Sequence, residues 1–212
     1  MGTIIQNFVN GLTTNGVLGA SNISNASLNN ITSISGPEMT LVSSATASAS
    51  TSIEFTLGDY KEYKFFFVNM HPATDSAQLK FNLSTDAGSN YNVAKTTTFF
   101  KAYHNEAGSS SSLTYETSDD LAQGTGLQFL SSVIDNDNDA CWDGYMSLYN
   151  PSSTTFVKHF MSVGASLGAS TFSYNDFVAG YGNTTSAINS IKFEMSSGNI
   201  DAGSIYMYGI GA

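Results

Sequence analysis

Ile188-Asn-Ser-Ile-Lys-Phe-Glu-Met195, Ser196-Ser-Gly-Asn199 and Ile200-Asp-Ala-Gly-Ser-Ile-Tyr-Met-Tyr-Gly-Ile210 read as strand, turn and closing strand. The sequence stops two residues later, and a final strand at the edge of its domain is expected of a β-sandwich. A sandwich this poor in reactive side chains is expected to bind or build rather than to catalyse.

Working backwards, short β-type runs recur every ten to fifteen residues from Ile53 onward. Tyr60-Lys-Glu-Tyr-Lys-Phe-Phe-Phe-Val68 is the strongest of them, and Asn69-Met-His-Pro-Ala-Thr-Asp75 ends it in turn formers. Gln78-Leu-Lys-Phe-Asn-Leu-Ser84 alternates at period two, which predicts Leu79, Phe81 and Leu83 inward with Lys80 and Asn82 in water. Residues 91–103 supply one or two strands and residues 104–126 a long polar excursion at a sandwich rim. A core strand is predicted over Leu127-Gln-Phe-Leu-Ser-Ser-Val-Ile134, and residues 144–151 and 155–163 read as neighbours joined by an Asn150-Pro151 turn. Residues 170–182 form an aromatic strand-and-loop unit. Outside the first fifty residues nothing sustains helical apolar spacing. The expected fold is all-β, a jelly-roll β-sandwich of eight or nine strands over residues 51–212.

Residues 1–50 differ in kind. After Phe8 they contain no aromatic residue, and Glu38 is their only charge. Their apolar residues are isolated: Ile4, Ile5, Phe8, Val9, Leu12, Val17 and Leu18, then Ile23, Leu28, Ile31 and Ile34. The spacing of the last four suits neither a helix face nor a clean strand alternation, and regularly placed Ile and Leu are not linker composition. An extended N-terminal arm that docks those residues on neighbouring subunits is expected, with Ser43–Ser52 as a loop or edge strand at the boundary.

Composition narrows the function. The chain has 212 residues, enough for one all-β core; charged residues make up 11%, and the seven cationic residues are all lysine, against a net charge of −10. Phosphate recognition needs clustered cations and usually arginine, so nucleic acid is not an expected partner. No window approaches a membrane span and Met1–Gln6 lacks a signal-peptide pattern, so no membrane partner is expected. Cys141 is the lone cysteine and is read as a buried, inert thiol.

Three clusters bear on chemistry. Asp135, Asp137 and Asp139, near Asp143, place carboxylates alternately as around a hard cation. An EF-hand would need Gly at Ala140 and Glu at Met146, so only a different calcium loop or an acidic turn remains. His71, His104 and His159 have no partner at motif spacing, and no catalytic residue or cofactor is assigned. Trp142, Tyr103, Tyr115, Tyr174 and Tyr181 either stack on sugars or fill core and interface.

The runs Tyr60–Val68, Phe81-Asn-Leu-Ser-Thr-Asp-Ala-Gly88, Gly144-Tyr-Met-Ser-Leu-Tyr-Asn-Pro-Ser-Ser153 and Ile191–Ile210 resemble a jelly-roll module of virion structural proteins from short-tailed phages of aquatic bacteria. Met1–Ile34 looks like the sequences such proteins place ahead of the domain. The resemblance implies a virion protein on the capsid exterior, assembled in the host cytoplasm. The role it implies is a homotrimeric decoration (cement) protein bound to the major capsid protein or another virion protein. Its alternative is a small head or tail fibre subunit whose loops, residues 104–126 and 170–182, touch host glycan. A polysaccharide-degrading enzyme using an acidic pair is the rival from another class.

Overall fold

Phe193 is the hub of the interior. Its ring meets Phe67 at 5.1 Å, Phe65 at 5.3 Å, Phe55 at 6.4 Å and Phe81 at 6.5 Å between centroids, with the first three inclined edge to face. Such tilted contacts add to the burial of area that drives a core together. The five rings come from four strands, Phe65 and Phe67 sharing one of them.

The computed structural model describes residues 39–168 and 171–211. The chain divides after Gly36, and every described residue belongs to the unit Pro37–Ala212. Twelve strands form among the described residues: β1 (Met39–Thr46), β2 (Ile53–Thr56), β3 (Glu62–Pro72), β4 (Leu79–Ser84), β5 (Lys95–Asn105), β6 (Ser111–Tyr115), β7 (Gln128–Phe129), β8 (Trp142–Tyr149), β9 (Lys158–Gly168), β10 (Phe172–Gly182), β11 (Ser190–Met195) and β12 (Ile200–Ile210). An eight-stranded sheet runs β1-β12-β3-β8-β9-β10-β5-β6, and a four-stranded sheet runs β2-β11-β4-β7. All pairings between them are antiparallel. The chain is an all-β, jelly-roll-like sandwich, as its sequence predicts.

Several elements differ from expectation. The C-terminal runs are strands, but they do not pair with each other: β11 lies in the small sheet between β2 and β4, and β12 lies in the large sheet between β1 and β3. The Ser196–Asn199 turn therefore carries the chain across the sandwich, tied by Ser196 N–H to Gln78 O and by Ala73 N–H to Asn199 O. Nor is β12 an edge, because β1 covers it from Met39↔Ile210 to Thr46↔Ser204. Residues 39–46, assigned above to the arm, are thus part of the sheet; small Ser, Thr and Ala side chains suit an edge that is solvated on both faces. Within the predicted strand 127–134 only Gln128–Phe129 is a strand. Beyond it, Ser131 Oγ accepts from Leu79 N–H while Leu130 and Ile134 donate to Leu79 and Ala77, so the segment follows β4 without regular pairing.

Packing differs between the two flanks of the sandwich. Where β3, β8 and β12 meet β2, β11 and β4, the interior is apolar and aromatic. Where β5 and β10 meet β4 and the 128–134 segment, polar pairs bridge the sheets. Lys95 Nζ donates to Asn82 Oδ1, Thr97 Oγ1 donates to Gln128 Oε1 at 2.5 Å, and Ser132 Oγ donates to Asp176 Oδ1 at 2.6 Å. Asn82, expected in water, is buried because residues 91 and 125 close over it and accept its amide hydrogens.

Candidate interaction surface

In an antiparallel pair, directly opposed residues share a face, so the ladders sort the large sheet's side chains. Lys64, Phe66 and Val68 on β3 stand opposite Tyr208, Tyr206 and Ser204 on β12. They stand away from the buried Tyr63, Phe65 and Phe67. On the next strands the outward set is Tyr145 and Ser147 of β8 with Val163 and Met161 of β9. Phe177 and Ala179 of β10 continue it, with Phe100 and Thr98 of β5. Tyr115 and Leu113 of β6 end it on one side. Leu41 and Met39 of β1 end it on the other.

This outward face is apolar. Twelve large hydrophobic side chains are conspicuously exposed among the described residues, and ten of them lie on it; Leu113 at 70%, Met161 at 54%, and Leu41 and Tyr115 at 50% are the most open of the ten. The other two, Val42 and Phe156, occupy the β1 bulge and the β8–β9 connection. Phe100 and Phe177 stack in parallel, with centroids 4.9 Å apart and 6° between planes. The Lys64 ammonium lies over the Tyr145 ring at 4.6 Å. Glu62 and Asp143 are carboxylates of this face at opposite ends of β8's pairing, and Asp120 accepts from the Tyr115 hydroxyl at the β6 margin.

The small sheet's outer face is built oppositely. Glu54, Lys80, Lys192 and Glu194 alternate across its ladders, with Lys192 Nζ 2.9 Å from Glu194 Oε2 and over the Tyr91 ring at 5.1 Å. The Tyr91 hydroxyl donates to Glu54 Oε2 at 3.0 Å, and burial together with that carboxylate pushes its pKa up to about 12. That is an ordinary solvated surface. The contrast between the two faces is the most informative feature of the molecule.

A depression of about 500 Å³ lies within the apolar face. Tyr149, His159, Met161 and Tyr181 stand around it, Ala179 and Gly180 lie at its base, and Thr96 and Thr98 close the β5 side. It exists because β10 presents only the small Ala179 outward between Phe177 and Tyr181.

The acidic loop is less organised than its sequence suggests. Asp137 N–H donates to Asp135 Oδ1 at 3.1 Å and Ala140 N–H to Asp137 O at 2.9 Å, the bonding of a turn. Asp135, Asp137 and Asp139 line one cleft with Glu106, but no group of three or more His, Cys, Asp or Glu side chains converges as a metal site among the described residues. Of the histidines, His71 pairs its Nδ1 with Ala140 O at 2.7 Å, while His104 and His159 belong to the outward face.

Trp142 is completely buried against Phe67, so it is core and not a sugar platform. Tyr103 and Tyr174 are half-buried and cluster with Phe172. Tyr115 and Tyr181 are the two that belong to the outward face. Residues 172–182, read as a partial loop, are a strand paired on both sides, and 111–115 within the polar excursion is also a strand. The anchors expected at Ile4, Ile5, Phe8, Val9, Leu12, Val17, Leu18, Ile23, Leu28, Ile31 and Ile34 lie outside the described residues. Sequence reading missed the outward face because Phe66, Tyr145, Met161, Phe177 and Tyr206 look like core residues until their register is known; two apolar phases in one strand, as in Phe65-Phe66-Phe67, were the available signal.

Buried ionisable groups mark the polar flank. Asp176, fully buried, accepts from Ser132 N–H at 2.9 Å and from its hydroxyl. Burial raises its pKa to about 6, against the lowering effect of those bonds and of the Trp142 N–H dipole, although Trp142 Nε1 has no partner at hydrogen-bond geometry. Burial likewise depresses Lys95 to about 7. The Cys141 thiol is pushed up to about 11 by burial and by Asp143, whose Oδ2 is 3.2 Å away. Each shift disfavours the charged form.

No protein-family model, curated protein or solved structure matches this chain. Among the described residues no helix is long and apolar enough to cross a membrane.

Proposed function

We propose that this chain is a non-catalytic virion structural protein, a decoration protein that binds the outer shell of a capsid and stabilises it mechanically. The observation that carries the reading is the one-sided surface: a charged face on the small sheet and a broad apolar face on the large one. Monomeric soluble proteins rarely leave more than a few hundred Å² of contiguous apolar surface open, and larger patches mark interaction sites. The resemblance of the strand runs to phage jelly-roll modules supplies the virion. In this reading the N-terminal residues Ile4 to Ile34 engage the coat protein or another virion protein, and the jelly roll stands outside.

Extended attachment across several coat subunits stabilises a shell through many weak contacts held at high effective concentration. The alternative role, a small fibre subunit that touches host glycan, is favoured by the depression between Tyr149 and Tyr181, where a ring could stack. Quantitative mass spectrometry of purified particles separates the two roles. Copy number comparable to the coat protein is expected of a decoration protein, a few copies per particle would indicate a fibre, and absence from particles would refute the virion reading.

A further inference from the structure

We propose that the outer face of the eight-stranded sheet is a self-association surface whose occupant is the same face region of a second copy of this chain. This rests on the reading of the chain as an assembly protein and names the partner its apolar face takes.

Area is the first argument. Eight strands spaced about 4.8 Å apart, sharing roughly seven paired residues of about 3.3 Å rise, make a face of about 34 by 23 Å, or roughly 800 Å². A specific protein–protein interface of standard size buries about 800 Å² on each partner. The face is therefore large enough for a stable complex without help from other elements.

Charge is the second. The chain carries a net charge of −10 and seventeen carboxylates, so two copies repel unless acids are kept from the contact. Glu62, Asp143 and Asp120, which accepts from the Tyr115 hydroxyl at 2.6 Å, are the carboxylates at this face, all at its margins, while the interior positions are aromatic, aliphatic, hydroxylic or amide. The single cation there, Lys64, is folded over Tyr145 and Phe66 rather than presented alone. The opposite face, with its Glu54, Lys80, Lys192 and Glu194, shows that the sequence places charge on a sheet where no contact is required.

The third argument is the form of the face. It has knobs and a hole: Leu113 and Met161 project, and the depression beside Met161 and Tyr181 is large enough for a Leu or Met side chain. A surface that carries both a projecting apolar residue and a pocket for one is the requirement of a self-complementary contact. Anchors of this type, seated in a desolvated pocket, carry most of an interface's binding energy.

The experiment is sedimentation equilibrium of the full-length protein over a concentration series up to about 100 μM, a range that captures micromolar association. Four proteins are compared: wild type, Met161→Glu and Leu113→Glu on the apolar face, and Thr56→Glu on the small sheet, which adds the same charge elsewhere. Leu113 lies exposed on an edge strand, so its variant keeps the fold, and far-ultraviolet circular dichroism checks all four. Wild type and Thr56→Glu should associate reversibly, and both face variants should associate at least about tenfold more weakly. A wild type that stays monomeric, or face variants that associate as wild type does, overturns the inference. The outcome is separable from the virion reading. Association that depends on the face upholds the inference even where particles lack the protein, and a monomer abundant in particles overturns it while leaving the virion role standing.

Discussion

Replacing Gly164 by alanine tests whether the core is as tightly specified as its geometry indicates. Gly164 sits on β9 opposite Gly144 of β8 and Asp176 of β10, directly under the indole of Trp142. A β-carbon there would lie 2.2 Å from Cζ2, 2.3 Å from Cε2 and 2.7 Å from Nε1 of that ring. Comfortable carbon contacts need about 3.5 Å, so roughly 1.3 Å of overlap must be relieved. Trp142 has little room to yield, because it is fully buried with Phe67 edge-on at 5.2 Å and the Gly144 backbone at its far rim. The strand cannot yield either, being hydrogen-bonded on both sides. Over-packing costs about 1–3 kcal/mol in cores that can adjust, and this site belongs at or above the upper end. Urea unfolding followed by the emission of Trp142, the only tryptophan, reads the loss directly. Gly126→Ala, where an added β-carbon meets nothing within 4 Å, is the control and should change stability by less than about 1 kcal/mol. Pairing Gly164→Ala with Trp142→Phe, both Phe variants being followed by far-ultraviolet circular dichroism because the tryptophan is gone, should recover part of the loss, since the smaller ring vacates the clash. A Gly164→Ala protein within about 1 kcal/mol of wild type and with unchanged emission would refute the reasoning, as would a pair of substitutions whose costs simply add.

Three further outcomes follow from the buried groups. Asp176, raised from 3.8 to about 6, holds its proton more tightly folded than unfolded, so its contribution to stability is full below about pH 4 and is lost as pH rises through 6, roughly 3 kcal/mol in all; Asp176→Asn should remove that part of the slope in urea titrations between pH 3 and 7, and an unaltered slope contradicts the assignment. Lys95, depressed to about 7, binds fewer protons folded than unfolded above that pH, so wild type should gain about 2 kcal/mol between pH 7 and 9 that Lys95→Met does not gain. Cys141, with its thiol near 11, should alkylate at neutral pH about a hundredfold more slowly in the folded protein than in urea; equal rates would show that neither burial nor Asp143 protects it.

The fold class was legible because alternation survives in the strands that have one solvated face. Leu79, Phe81 and Leu83 are all fully buried, as their period-two spacing requires, and the Asn150-Pro151 turn does join two paired neighbours. Sheet membership was not legible. Nothing local in Ser196-Ser-Gly-Asn199 distinguishes a hairpin from a crossing between sheets, since the difference lies in Gln78 and Ala73, more than 100 residues away. Asn82 and Lys80 illustrate the same limit, for they occupy one phase of one strand, yet a distant loop buries the first alone. The outward face was hidden for a related reason. Phe66 and Tyr145 have the composition of core, and only the ladder shows that their phase points away from it.

The unequal sheets connect these observations. Four strands cannot cover eight, so the interior of the large sheet is completed on its β5 and β10 flank by irregular chain, which brings backbone groups that need partners. Lys95, Thr97, Asp176 and Gln128 supply them, and the depressed lysine and raised aspartate are the electrostatic cost of that arrangement. The same breadth gives the outer side an area that a four-stranded face would not reach. Self-association across it would also multiply the N-terminal segments held by one particle-binding unit. Linked attachments of that type exceed the affinity of a single one by about two to four orders of magnitude when their reach matches the spacing of sites. A wide sheet with an apolar back, followed through its physical consequences, thus joins two proposals that start from different residues: copies bind one another through the outer face of the eight-stranded sheet, and the unit they form binds its shell through the residues that precede Met39.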